Sequence, residues 1–190
     1  MSERVAQLDV AESRRRAEAV GIPKRMAELS VFRILLHHPP VAKAIYGMLA
    51  ALLFGDNKLD PRLRELVIMR IGWATGSNYE WTQHWRVAKD LGLSEELILS
   101  VRDWRDAHDL TEADRAVLQA TDDTLSTGSI GERTWETICE VLATEEERIE
   151  LVAAIGNWGL FSRLLRSLDV PLEENLESWP PDGKVPAVDA

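Results

Sequence analysis

The run Asp60-Pro61-Arg62-Leu63-Arg64-Glu65-Leu66-Val67-Ile68-Met69-Arg70-Ile71-Gly72-Trp73-Ala74-Thr75-Gly76-Ser77-Asn78-Tyr79-Glu80-Trp81-Thr82-Gln83-His84 decides how the chain reads. Asp60-Pro61 pairs a good helix cap with a residue suited to the first helical position, so a helix is expected from there to about residue 75. Gly76-Ser77 breaks it, Ser77 or Asn78 opens the next helix, and Gly92 closes that one. Two helices joined with almost no linker must turn sharply and can lie face to face.

On the second helix Trp81, His84, Trp85, Ala88 and Leu91 fall on one stripe, which places His84 inside an apolar face. Glu80 stands one turn before it, close enough to touch and orient the imidazole. On the first helix Glu65 shares a face with Ile68, Met69 and Gly72. An acid there is either partly desolvated or turned outward to Arg62. Glu65 lies roughly 15 Å along the axis before the break, while an antiparallel return carries Glu80 back about 5 Å and His84 about 10 Å. His84 is therefore the expected partner of Glu65.

Outward from this core the same three- and four-residue apolar spacing continues, and β-branched alternation is missing. Helices are expected through Arg14-Arg15-Arg16 to Gly21, over 31–38 with Ser30 as cap, and over 41–54 after Pro39-Pro40. Further ones are expected from Ser94 to about Trp104, over 112–126 and 132–142, and over 145–168, with Thr111-x-x-Asp114 and Thr144-x-x-Glu147 placed as capping boxes. This is an all-α bundle forming a single domain over residues 1–170. The tail at 171–190 holds four of the eight prolines and is expected to be extended or mobile.

With 22 Lys and Arg against 32 Asp and Glu, the net charge of −10 argues against nucleic acid and anionic membranes as partners. A hydrophobic share of 45% beside 28% charged residues marks a globular chain that needs no metal or disulfide to fold. The lone Cys139 excludes an intramolecular disulfide and any two-thiol chemistry within one chain, and its neighbours Trp135, Ile138 and Leu142 point to an inert core thiol. Met1-Ser2-Glu3-Arg4-Val5 lacks the apolar core of a signal peptide, which makes the cytoplasm the expected location. The stretch 41–54 is too short to span a bilayer, yet apolar on nearly every face, as a subunit contact in a homo-oligomer would be.

Together, Glu65, the Ser77-Asn78-Tyr79-Glu80 segment and His84 resemble the carboxymuconolactone decarboxylase family, which includes the alkylhydroperoxidase AhpD-like proteins. The likeness is strong over 32–104, where Leu91-Gly92-Leu93-Ser94-Glu95-Glu96 follows the motif helix, and looser to Pro171-Leu172-Glu173. The resemblance implies an AhpD-like helical bundle assembled from trimers or dimers of trimers. In the redox branch of the family a Cys-x-x-Cys-x-x-x-His motif follows a glutamate by 12 residues; here Glu65 and His84 match, while Ser77 and Glu80 stand at the two cysteine positions. Serine and glutamate cannot cycle between dithiol and disulfide, so thiol peroxidase chemistry is not expected.

What remains resembles the decarboxylase side of the family, whose members act on a small carboxylated lactone without a cofactor or metal. On that reading Glu65, Glu80 and His84 transfer protons, and Ser77 and Trp81 line the substrate site. The arginine that would hold a substrate carboxylate is not marked by spacing, although Arg70 and Arg86 are candidates. Two alternatives stay open: a binding or scaffold protein without catalysis, and a divalent metal held by Glu65, Glu80 and His84. His37, His38 and His108 read as structural or solvated.

Overall fold

Ten helices and no strand make up residues 4–187, the part of the chain described by a computed structural model. They are α1 (Val10–Val20), α2 (Lys24–Ala27), α3 (Ser30–Leu35), α4 (Pro39–Phe54), α5 (Pro61–Thr75), α6 (Asn78–Asp90), α7 (Glu95–Ser100), α8 (Glu112–Thr127), α9 (Glu132–Val141) and α10 (Glu145–Ser167). The reading of Met1-Ser2-Glu3 and the last three residues of the tail lie outside the described residues.

The chain forms two compact units, one comprising residues up to Gly55 with Arg163–Leu176, the other Asp56–Ser162 with the residues from Glu177 onward. In the first, Ser13 in α1 donates its hydroxyl to the carbonyl of Ala27 across 2.6 Å, and Phe32 packs edge-on against Tyr46 of α4. Leu29, not Ser30, is the cap of α3. His38 caps α4 by accepting from the Val41 amide, so both prolines fall inside the first turn, where a missing N–H costs nothing. His37 bonds the carbonyl of Ala6, so one histidine of the pair holds the N-terminal segment and the other caps a helix.

The second unit is built around α5. Leu63, Leu66, Val67, Ile68, Met69 and Ile71 are all buried, each contributing roughly 1.5–3 kcal/mol. The helix ends where Gly76 adopts a left-handed φ of 70° and returns its N–H to the carbonyls of Gly72 and Trp73. At Gly72 a side chain would press on its neighbour: a Cβ there would lie 3.1 Å from the backbone nitrogen of Trp81. The missing side chain is what lets α6 return closely along α5.

Arg62 does not reach Glu65; it grips both carboxylate oxygens of Asp114, which also closes the capping box of α8 with Thr111. Burial pushes the Asp114 carboxyl up, but Arg62 and Thr111 outweigh it and hold it below the usual range. Arg70 is likewise spent: it holds Asp122 through Nε at 2.6 Å and donates to the carbonyls of Val101 and Arg102. α7 stops at Ser100, short of Trp104, and the carbonyls of the next two residues go to Arg70. Cys139 is half-buried beside the exposed Trp135, so it is not the core thiol the helical spacing suggests.

The tail carries no helix among its described residues, yet it is anchored. Trp179 is buried against Trp73 and Trp81, and its amide donates to Asn78 Oδ1 and Thr82 Oγ1. The want of apolar residues that marked it as loose is made good by this aromatic anchor and by polar contacts from Ser178, Pro180 and Asp182. No helix among the described residues is long and apolar enough to cross a membrane.

Candidate functional site

Glu65 projects from the middle of α5 and is fully buried. One of its oxygens accepts from the guanidinium of Arg64 at 3.3 Å, and the other lies 2.7 Å from Nδ1 of His84 on α6. On the far side of the ring, the indole N–H of Trp158 in α10 points at Nε2 across 3.1 Å. An indole nitrogen only donates, so Nε2 accepts and the imidazole proton sits on Nδ1, directed at Glu65. A carboxyl group, an imidazole and an indole thus form one chain of hydrogen bonds through three helices.

Glu80 behaves differently. It is 3% exposed, and neither of its oxygens has a hydrogen-bond partner. Burial pushes its carboxyl well above the usual 4.5; the Ser77 hydroxyl pulls the other way, but it too makes no hydrogen bond of good geometry. A desolvated acid without a counter-charge holds its proton more tightly than a solvated one. Glu80 and His84 share α6 one turn apart, but the imidazole takes its carboxyl partner from Glu65.

Ser77 is buried at the start of α6, where its side chain makes no capping bond. Trp81 is fully buried, stacked among Trp73, Trp85 and Trp179, with its N–H donated to the carbonyl of Pro180. Arg86 is exposed, and Arg70 is committed to Asp122. Among the described residues no three His, Cys, Asp or Glu side chains are grouped as a metal ion requires. Two open clefts, of about 660 Å³ beside Trp104 and Arg133 and about 410 Å³ beside Arg62 and His108, are lined by other residues.

Trp158 is the member that sequence reasoning missed. It sits 74 residues beyond His84, on an ordinary apolar helix face. The available signal was chemical: a fully buried tryptophan needs an acceptor for its N–H.

Residues 39–123 match the carboxymuconolactone decarboxylase family. No curated protein matches the chain significantly. Among solved structures, an uncharacterized peroxidase-related protein from Ralstonia eutropha with an alkylhydroperoxidase AhpD core superposes with a TM-score of 0.74 at 19% identity, over 90% of this chain and 93% of that one. The debrominase Bmp8, in complex with 2,3,4-tribromopyrrole, gives 0.71 at 18% identity over 92% and 94%. A protein of unknown function from Agrobacterium tumefaciens, a putative antioxidant defence protein AhpD, gives 0.66 at 22% identity over 73% and 94%. These likenesses show the fold, which is the AhpD-like helical one.

Proposed function

We propose that this chain, a member of the carboxymuconolactone decarboxylase family through residues 39–123, is a cofactor-free lyase or isomerase that moves protons on a small carboxylated lactone or related carbonyl compound. The observation that carries the reading is the pairing of opposite proton roles in one helix pair. His84, with its proton on Nδ1 held by Glu65, offers Nε2 as a base once the Trp158 donor is displaced, while Glu80 is an acid that keeps its proton. In a decarboxylation the bond to the departing carboxylate breaks, and its electron pair enters the conjugated carbonyl system. Glu80 then protonates the resulting carbanion and regains a proton from solvent. Ser77 and Trp81 flank Glu80 and are assigned to substrate contact. Ser77 and Glu80 supply no thiol, which separates this chain from dithiol peroxidase chemistry.

The test is carboxymuconolactone in D₂O, without added cofactor and with a chelator present, followed by NMR for loss of the carboxyl group and gain of deuterium. Glu65→Gln, Glu80→Gln and His84→Gln should each lower kcat by about 10²-fold or more while the protein stays folded. Turnover indifferent to all three substitutions would overturn the assignment. A second reading, a non-catalytic binding member of the family, is favoured by the Trp158 N–H that occupies Nε2, and binding without turnover is its signature.

The exposed apolar residues of α4 (Val41, Met48 and Phe54) support assembly into a trimer or hexamer. A cytoplasmic setting accords with the single cysteine and the acidic composition.

A further inference from the structure

We infer that Trp73, Trp81 and Arg102 form a binding site for a flat, carboxylate-bearing ligand, and that the chain's own Trp179–Asp182 segment occupies it in this structure. The guanidinium of Arg102 lies over the rings of Trp73 and Trp81, 4.6 and 4.9 Å from their centroids. From that position it donates through both terminal nitrogens to the carboxylate of Asp182, at 2.8 and 2.9 Å. A stacked arginine with a two-point grip is the arrangement that recognises carboxylates, because stacking fixes the plane of the fork.

Three residues earlier, the indole of Trp179 fills the space against Trp73 and Trp81, at 6.0 and 6.1 Å between centroids. Between the two, the carbonyl of Pro180 accepts the Trp81 N–H at 2.8 Å. The tail therefore presents a flat ring, a carbonyl and a carboxylate in sequence, as a ligand of that class would.

Two features show that the occupant is replaceable. Trp179 is a bulky residue held at a φ of 55°, a left-handed backbone that side chains of its kind rarely adopt, so release relieves strain. Arg102 Nε is buried without a hydrogen-bond partner, so the grip of Asp182 leaves one donor unused. A carboxylate that engages Nε together with one terminal nitrogen would satisfy this buried donor, which the end-on grip of Asp182 does not reach. The site shares Trp81 with the substrate contacts proposed above, but it needs no participation of Glu65, Glu80 or His84.

Calorimetry on the full chain with indole-3-propionate, and with its neutral amide as control, tests this. The acid should bind Asp182→Asn at least tenfold more tightly than the wild type and should not measurably bind Arg102→Gln, while the amide binds neither. With saturating acid, trypsin should cut the wild type after Lys184 several-fold faster, because the tail has left its seat. Equal affinity in the wild type and Asp182→Asn, binding of the amide as tightly as the acid, or unchanged cleavage would overturn the proposal. Should Arg102→Gln prove unfolded, Arg102→Lys decides: the charge remains but the fork is lost, so affinity falls at least fivefold, and unchanged affinity rejects the site.

Discussion

Trp158 donates its indole N–H to Nε2 of His84 at 3.1 Å, and this one bond leaves the imidazole proton on Nδ1, facing Glu65. Trp158→Phe keeps most of the ring volume and removes the donor. A buried acceptor left without a partner costs about 1–3 kcal/mol, and that is the expected loss in urea unfolding. The ring nitrogens of His84 report the rest directly: ¹⁵N NMR of the wild type should show the proton on Nδ1. A wild-type ring carrying its proton on Nε2 would refute the assignment.

The close return of α6 along α5 can be tested at a single atom. Alanine gains about 1 kcal/mol over glycine in a helix interior, whereas forcing an extra carbon into a packed contact costs about 1–3 kcal/mol. At Gly72 the added carbon meets the Trp81 backbone at 3.1 Å, but at Gly156 in α10 it meets nothing within 4 Å. Gly156→Ala should therefore raise the unfolding midpoint and Gly72→Ala lower it. If both substitutions stabilise the protein alike, close packing is not the reason for glycine at 72.

Helix ends are legible in the amino-acid sequence because they are local. Asp60-Pro61, Gly76 and the Thr111 and Thr144 capping boxes set them through contacts within a few residues, and they do so here. The meeting of Glu65 and His84 follows from helix rise and a turn of almost no length. Long-range choices are not legible in the same way. Arg62 could take Glu65 three residues away or Asp114 across 52, and only packing decides that it takes the second. The same holds for Trp158 and for Trp179, whose partners lie 74 and 97 or more residues away. Their identities as indole donors and apolar rings are plain from the residue types, but not where those groups are spent.

Self-association is expected through α4. Val41 and Met48, one heptad apart on the same face of α4, are 45 and 50% exposed, while Ala42 and Leu49 bury the adjacent side. A charge in the middle of that face, Met48→Asp, should reduce the particle to a monomer of 21.4 kDa by light scattering without lowering its helix content. A wild-type monomer at micromolar concentration would remove the claim.

The buried acid Glu80 has a consequence for stability that can be measured without any substrate. Its folded pKa lies well above 4.5, raised by burial. In the pH range between the unfolded and folded values, the folded chain keeps this proton and the unfolded chain has released it. Stability therefore falls as pH rises through that range, by up to about 1.4 kcal/mol per pH unit, and the full contribution is present only below the unfolded value. Glu80→Gln keeps the shape and abolishes the titration. The difference in unfolding free energy between the variant and the wild type should thus move in favour of the variant with each step upward from about pH 4.5, and level off once Glu80 ionises in the folded state. Urea midpoints taken for both proteins between about pH 4 and pH 8 give this difference directly. Parallel curves across the range would mean that Glu80 ionises in the folded chain as readily as in the unfolded one, and the proton donor proposed for the reaction would be lost with it.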